Sequence, residues 1–259
     1  MSAPASTLNN IRVVTWRNVL QLSRKPDVVV FSLVQPIMFV LLFRYVFGGS
    51  IGKSTQAIGL SYADFLIPGI MIQTILFSTT MTAVGFFEDL QKGIFDRFRS
   101  LPIARSAPLV GRIVADLCNL LLVSGVIVAI GYVIGFRYKA GVLPALGSIV
   151  LTMGIGIAFC FLSVMFAATL KNVEAVQTSG FMLIFPLTFL SNVFVPVQTL
   201  EYQWLRTIAQ HNPVSRVTDA FRACAFGGET ARPVMIAIAW ILGLTVGFAA
   251  LAVRQYRKL

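Results

Sequence analysis

Six stretches of the chain are almost continuously apolar, and polar residues gather in the connections between them. A helix needs about 20 apolar residues to cross a hydrocarbon core of about 30 Å, and each stretch comes near that length. Because a backbone in lipid must satisfy its own hydrogen bonds, these stretches should be helices. The pattern predicts an all-α integral membrane protein whose six transmembrane helices cover residues 28–47, 65–87, 109–135, 145–170, 180–197 and 234–253.

The segment before the first stretch has a different pattern, in which apolar and polar side chains recur at helical spacing between Leu8 and Arg24. This spacing places the apolar residues on one side of a helix, although Arg12 interrupts that side. The pattern predicts an amphipathic helix at the cytoplasmic membrane interface within residues 1–27 and a single six-helix transmembrane domain over residues 28–259.

The only long polar connection precedes the last apolar stretch. Asn212 before Pro213 is typical of a helix start, and Gly227 is typical of a helix stop. One face between them carries Val214, Val217, Ala220, Phe221 and Cys224, and the other carries Ser215, Arg216, Asp219 and Arg222. We therefore expect two short amphipathic helices, over residues 200–210 and 213–226, that lie on or dip into the outer leaflet.

The composition supports a membrane protein, since 57% of the 259 residues are hydrophobic and only 12% are charged. The net charge of +11 is spread among the apolar stretches instead of forming one basic face, so a nucleic-acid partner is not expected. If both termini are cytoplasmic, the cytoplasmic connections hold twelve Lys and Arg residues and the outer connections hold seven. The positive-inside rule therefore predicts cytoplasmic termini.

A glycine-rich run at residues 47–55, FGGSIGKST, raises the question of a nucleotide site. A phosphate-binding loop has the spacing G-x-x-x-x-G-K-[ST], which requires glycine where this chain has Phe47. That loop also follows a buried strand, whereas this run follows an apolar helix. The run is therefore interpreted as a flexible turn on the outer side after the first span, and it is not expected to bind a nucleotide.

Side chains that could perform chemistry are sparse in the predicted spans. Among the ten acidic residues only Asp116 falls inside a span, where pairing with Arg112 at i, i+4 explains it better than a proton relay. His211 is the single histidine, and the three cysteines have no metal-binding spacing. The sequence therefore predicts a chain without catalytic activity, metal or cofactor.

The densest group of charges lies between the second and third stretches, in the run FFEDLQKGIFDRFRSLPIARSAPL. Charged residues alternate there with apolar ones, which predicts an amphipathic helix over residues 86–102 with a bend at Gly93. A solvated, positively charged cytoplasmic loop is the alternative. Exposed aromatic side chains at Phe87, Phe95 and Phe98 favour docking onto a soluble partner instead.

This run resembles the corresponding loop in the membrane subunits of type-2 ABC exporters, notably the daunorubicin-resistance and nodulation-factor permeases. The resemblance rests on Glu88, Asp89, Lys92, Gly93, Asp96, Arg97, Arg99, Leu101 and Pro102. The amphipathic N-terminus, the run SNVFVPVQTL and the run HNPVSRVTDAFRA also match. The resemblance covers nearly the whole chain.

The resemblance implies a permease that pairs with a second permease, either a copy or a relative, and with two copies of a cytoplasmic ATPase that binds ATP and magnesium. It also implies a bacterial plasma-membrane location. The loop would be the coupling helix, formed by Glu88, Asp89, Lys92, Gly93, Phe95, Asp96, Arg97, Phe98, Arg99, Leu101 and Pro102. The outer helices would re-enter the membrane as a cap that includes His211, Asn212, Pro213, Arg216, Asp219 and Arg222.

The remaining polar groups of the apolar stretches are candidates for a substrate pathway: Gln35, Arg44, Gln73, Asn119 and Asn192. Apolar walls with few polar groups suit a drug, an antibiotic, a lipid or a lipid-like metabolite. For Arg44 the alternative is a side chain that extends to the outer interface. For the whole chain, the alternatives to an exporter are a channel and a membrane scaffold without transport.

Overall fold

The computed structural model describes residues 26–56, 59–93 and 107–256, and it is all-helical over these ranges. The helices are α1 (Pro26–Leu41), α2 (Gly48–Gln56), α3 (Tyr62–Gln91), α4 (Ala107–Ile134), α5 (Val142–Thr169), α6 (Val173–Phe189), α7 (Gln203–His211), α8 (Pro213–Phe226) and α9 (Ala231–Tyr256). A π-helical turn, Leu42–Phe47, joins α1 to α2. The predicted interfacial helix lies outside the described residues, up to residue 25.

Four helices of the described chain are long and apolar enough to cross a membrane, namely α3, α4, α5 and α9. The first and fifth predicted spans fall on shorter apolar helices, Leu33–Phe47 and Val173–Phe189. The all-helical membrane character is therefore confirmed, whereas the number of six spans stays a prediction.

Helix α3 is the centre of the fold. Within the most apolar part of α3, 72% of the residues are buried inside the protein, compared with 6% in α9. Helices α4, α5, α6 and α8 all pack against α3, whereas α9 packs against α5 and α8 at the periphery of the bundle. Both helices are apolar, but α3 is enclosed by the other helices and α9 lies at the periphery of the bundle.

The fifth predicted span was placed wrongly, because α6 begins at Val173 and ends at Phe189. Asn172 starts the helix by accepting a hydrogen bond from the backbone N–H of Ala175 at 2.6 Å. After Phe189 the chain is irregular, yet Val193 is fully buried. An apolar window cannot distinguish such a buried loop from the last turns of a membrane helix.

The predicted flexible turn over residues 47–55 is also wrong, because Gly48–Gln56 is helical. Gly48 and Gly52 face the side chain of Tyr62, and the fully buried Thr55 hydroxyl donates to the carbonyl of Gly52 at 3.0 Å. Packing against α3 has overridden the low helix propensity of glycine. Because helical amides bond along the helix axis, this conformation does not form a phosphate cradle.

Glycines in α4 and α5 allow close helix packing. A Cβ atom on Gly131 would lie 3.0 Å from Ile67 of α3, and one on Gly156 would lie 3.0 Å from Ile75. Gly135 differs, because its φ is +109° and no atom lies within 4 Å of a Cβ placed there. Gly135 therefore ends α4 and makes no close helix contact.

Candidate functional site

The end of α3 at Gln91 carries the first residues of the predicted coupling segment. Glu88 and Asp89 lie in the last turns of α3 itself, and Lys92 pairs with Glu88 at 3.1 Å in an exposed position. The N–H of Gly93 donates to the carbonyl of Leu90 at 3.0 Å, and Gly93 has a φ of +62°. Glycine adopts this left-handed conformation without strain, which suits a residue just after the end of a helix. The predicted bend at Gly93 stays a prediction, because residues 94–106 lie outside the described residues.

An ion cluster joins this end of α3 to the start of α4. Arg112 Nη1 lies 3.0 Å from Asp89 Oδ2, and Arg112 Nε lies 3.4 Å from Asp116 Oδ2. The predicted Arg112–Asp116 pair is thus confirmed, and Asp89 of α3 is a second partner that helical spacing could not reveal. The side chains of the three residues are only 18 to 21% exposed.

Phe87 was predicted to be exposed, and this prediction is wrong, since the residue is only 5% exposed. It packs with Phe86, Ile113 and Val164 in an apolar cluster around the last turns of α3. Helix α3 extends past residue 87, so the aromatic side chain belongs to the helix bundle and not to a loop. The other predicted coupling residues lie outside the described residues: Phe95, Asp96, Arg97, Phe98, Arg99, Leu101 and Pro102.

At the opposite end of the bundle, α8 is buried on more than its apolar face. Asn212 starts the helix as predicted, with Oδ1 accepting from the backbone N–H of Val214 at 2.8 Å, and Gly227 ends it. The predicted polar face is partly wrong, because Ser215 is 1% exposed and Arg222 is 7% exposed. The reason is that α8 packs between α3, α5 and α9, so both faces contact protein.

Arg222 connects three parts of the chain through its guanidinium group. Its Nε and Nη2 donate to the carbonyl of Phe65 at 3.1 and 2.8 Å, and Nη2 donates to the carbonyl of Asn192 at 2.9 Å. Arg222 Nη1 lies 3.5 Å from Asp219 Oδ1, and the guanidinium lies 3.6 Å from the centroid of the Phe65 ring. The start of α3, the segment after α6 and α8 are therefore held together by one buried cation.

The same three parts approach closely at the backbone. A Cβ atom on Gly69 of α3 would lie 2.4 Å from the carbonyl oxygen of Val193, so glycine leaves room for the buried segment. Asn212 Nδ2 donates to the carbonyls of Leu187 and Leu190 at 2.7 and 3.0 Å, which ties α8 to the end of α6. His211, also predicted in the cap, is exposed, and its ring nitrogen contacts the carbonyl of Thr207.

Within the described part of the chain, no hydrogen bond joins any two of the five predicted pathway residues. Gln35 is exposed on α1, Arg44 is half-buried on the π-helical turn, and Gln73 is buried within α3. Asn119 lies partly buried on α4, and Asn192 is buried beside Arg222. Their role in a substrate pathway stays a prediction.

An apolar cavity of about 200 Å³, which none of these five residues lines, lies between the π-helical turn, the end of α6 and α7. The rings of Phe43, Phe189 and Phe194 contribute to its wall, and Phe43 stacks on Phe194 at a centroid distance of 4.2 Å. A pocket for a whole drug-sized molecule has roughly 300 to 1,000 Å³, so this cavity is too small for one.

Each carboxylate of α3, α4 and α8 has a basic partner. Asp64 Oδ2 lies 3.1 Å from Lys139 Nζ, although Asp64 is 3% exposed and the two residues are 75 positions apart. The other pairs of these helices involve Glu88, Asp89, Asp116 and Asp219, at distances up to 3.5 Å. With basic partners at these distances, the carboxylates are explained as members of ion pairs within the fold.

The structure is that of a multi-pass membrane protein. Long apolar helices surround an enclosed central helix, and the carboxylates of that helix form ion pairs. The chain belongs to the ABC-2 type transporter family, which matches residues 9–226. The chain is therefore a permease subunit of an ABC transporter, as the resemblance of its loop indicated.

Proteins similar to this chain include drug-resistance permeases. The daunorubicin resistance ABC transporter permease protein DrrB1 of Streptomyces coeruleorubidus is 28% identical over 257 residues, covering 99% of this chain and 88% of that protein. The probable doxorubicin resistance permease DrrC of Mycobacterium tuberculosis is 27% identical over 245 residues, covering 94% and 87%. A putative transport permease, ycf38 of Pyropia yezoensis, is 25% identical over 221 residues, covering 84% and 74%.

Proposed function

We propose that this chain is the membrane subunit of an ATP-driven exporter that moves a hydrophobic or amphipathic substrate out of the cytoplasm or the inner leaflet. The substrate class is a drug, an antibiotic, a lipid or a lipid-like metabolite. The observation that carries the proposal is the match over almost the whole chain to permeases named for daunorubicin and doxorubicin resistance.

The energy source in this proposal is a separate cytoplasmic ATPase, present in two copies, which binds ATP and magnesium. This chain itself would use no cofactor, and it would pair with a second permease in the bacterial plasma membrane. The paired carboxylates of α3, α4 and α8 support an external energy source, because they favour no proton relay through these helices.

The proposed contact with the ATPase is the segment that follows Gly93, including residues 94–102. The Asp89–Arg112 ion pair connects α3 and α4, the two helices that flank this segment. The ion pair therefore fixes the positions of these two helices relative to each other. At the other end of the bundle, α7 and α8 would act as the outer cap of the pathway. The buried contacts of Arg222 support a cap that is fixed to α3.

The experiment is transport by the purified complex in proteoliposomes, with doxorubicin and a fluorescent phospholipid as probes. The proposal expects a neighbouring reading frame to encode a soluble P-loop ATPase, and that protein is the partner in this assay. ATP-dependent movement of either probe, lost with a non-hydrolysable analogue, is the expected result. Movement without ATP would identify a channel, and an absence of both movement and ATPase association would identify a scaffold.

Gly93 and Arg97 provide the variant test of the coupling segment. Replacement of Gly93 by Ala forces a side chain into a left-handed conformation, which costs roughly 1 kcal/mol and redirects the segment. We expect Gly93→Ala combined with Arg97→Ala to abolish ATP-dependent transport while membrane insertion is unchanged. Transport and ATPase binding at the wild-type level would contradict the coupling role of the segment.

A further inference from the structure

Arg112 occupies the point where the two helices that flank the proposed coupling segment meet. We propose that Arg112 is a positioning residue for energy coupling, which links α3 and α4 so that movement of the segment between them displaces both helices together. The inference rests on the proposed function, because it assumes that an ATPase acts on this segment.

The guanidinium group of Arg112 contacts two carboxylates, one in its own helix and one in α3. The contact of Nε with Asp116, at 3.4 Å, is made within α4 and fixes the direction of the Arg112 side chain. The contact of Nη1 with Asp89, at 3.0 Å, crosses to α3 four residues before the helix-ending Gly93. The planar fork of arginine allows both contacts at once, which a single ammonium nitrogen cannot reproduce with the same directions.

Gly85 of α3 provides the space for this group. A Cβ atom on Gly85 would lie 1.9 Å from Nη2 of Arg112. Glycine is unfavourable in the middle of a helix, and here its lack of a side chain is what allows the guanidinium to lie against the α3 backbone. The Arg112 cluster, consisting of Gly85, Asp89, Arg112 and Asp116, is therefore a built contact between helices and not a chance pairing of surface charges.

The cluster borders the apolar layer at the cytoplasmic end of the bundle. Phe86 and Ile113, each one residue away from a cluster member, are 0 and 7% exposed and belong to this layer. Val164 of α5, Val176 of α6 and Ala252 of α9 complete contacts to the other helices. Because a packed interior transmits a displacement of its members, movement of α3 and α4 together would reach these helices.

The test uses Gly85→Ala, which displaces the guanidinium without removing a charge. The displaced atom is the far end of a flexible side chain, so the helices should still pack. In proteoliposomes with the ATPase partner, we expect the amount of doxorubicin or fluorescent phospholipid moved per ATP hydrolysed to fall about tenfold, within the range for variants of coupled networks. ATPase association should be unchanged. Gly125→Ala is the matched control, because no atom lies within 4 Å of a Cβ there.

Arg112→Lys is the second variant, since it retains the positive charge and loses the fork. We expect the same loss of coupling, and we expect Asp89→Asn to add little to Arg112→Gln in a double-mutant cycle. Wild-type coupling in both Gly85→Ala and Arg112→Lys would overturn the inference, as would loss of ATPase association in both. If the unmodified complex shows no ATP-dependent movement of either probe, the proposed function itself fails.

Discussion

Arg222 shows how a charged residue can be stable where water has little access. It is 7% exposed, and its donors reach backbone carbonyls of two other segments while Asp219 lies nearby. Charge-assisted hydrogen bonds of this kind are stronger than neutral ones, and the contact with the Phe65 ring adds cation–π attraction. Removal of the guanidinium would take the charged donor away from the buried carbonyls of Phe65 and Asn192 and the basic partner away from Asp219.

Arg222→Ala should therefore destabilise the protein by about 3 to 5 kcal/mol, the usual cost of breaking a buried charged contact. Denaturant unfolding of the detergent-purified chain measures this difference. Arg232→Ala is the control, because Arg232 is exposed at the start of α9, and its effect should be within about 0.5 kcal/mol. Equal stability of the two variants would show that Arg222 contributes little to the fold.

At the scale of elements, α6 and α8 both start at an asparagine cap but depend on it differently. Asn172 accepts a hydrogen bond from the N–H of Ala175 in its own helix. Asn212 makes the equivalent bond to Val214, and its Nδ2 also donates to the carbonyls of Leu187 and Leu190. One cap thus starts a helix, and the other also fixes that helix to its neighbour.

Asn172→Ala should cost about 1 kcal/mol, the typical loss of a helix cap. Asn212→Ala should cost about 2 to 4 kcal/mol, because the buried carbonyls at the end of α6 lose their donor in addition. The comparison of both variants by denaturant unfolding isolates the contact between helices, since the two lose the same type of cap. Similar losses in the two variants would mean that the bonds to α6 contribute no stability.

For the whole molecule, the distribution of basic residues predicts the orientation in the membrane. The cytoplasmic connections hold twelve Lys and Arg residues and the outer ones seven, if both termini are cytoplasmic. The Asp89–Arg112 pair and the contacts of Arg222 lie at opposite ends of the central helix α3. In this orientation the first faces the cytoplasm and the second faces outward.

Labelling of single cysteines in intact cells tests this orientation. In a chain without its three native cysteines, Glu229→Cys in the connection before α9 should react with a membrane-impermeant maleimide. Lys171→Cys, between α5 and α6, should react only after the membrane is opened. The reverse pattern would contradict the positive-inside argument and would place the Arg112 cluster outside the cell.

The hydrophobic pattern by itself determined the helical class and most helix positions, because a chain in lipid must form helices from its apolar stretches. Residue types and their spacing also identified local features that depend only on neighbours in sequence. Examples are the Asn212 cap, the stop at Gly227, and the Arg112–Asp116 pair at i, i+4. These features need no knowledge of other helices, which is why sequence spacing was enough.

Only the tertiary structure decided which residues meet across helices. The buried loop after Phe189 and the helical run from Gly48 both depend on packing against α3, which an apolar window or glycine propensity does not contain. Asp89 meets Arg112 across 23 positions, and Arg222 meets Phe65 across 157. Sequence spacing specifies neighbours along one helix, whereas these pairs exist because α3 lies at the centre of the bundle and the other helices pack against it.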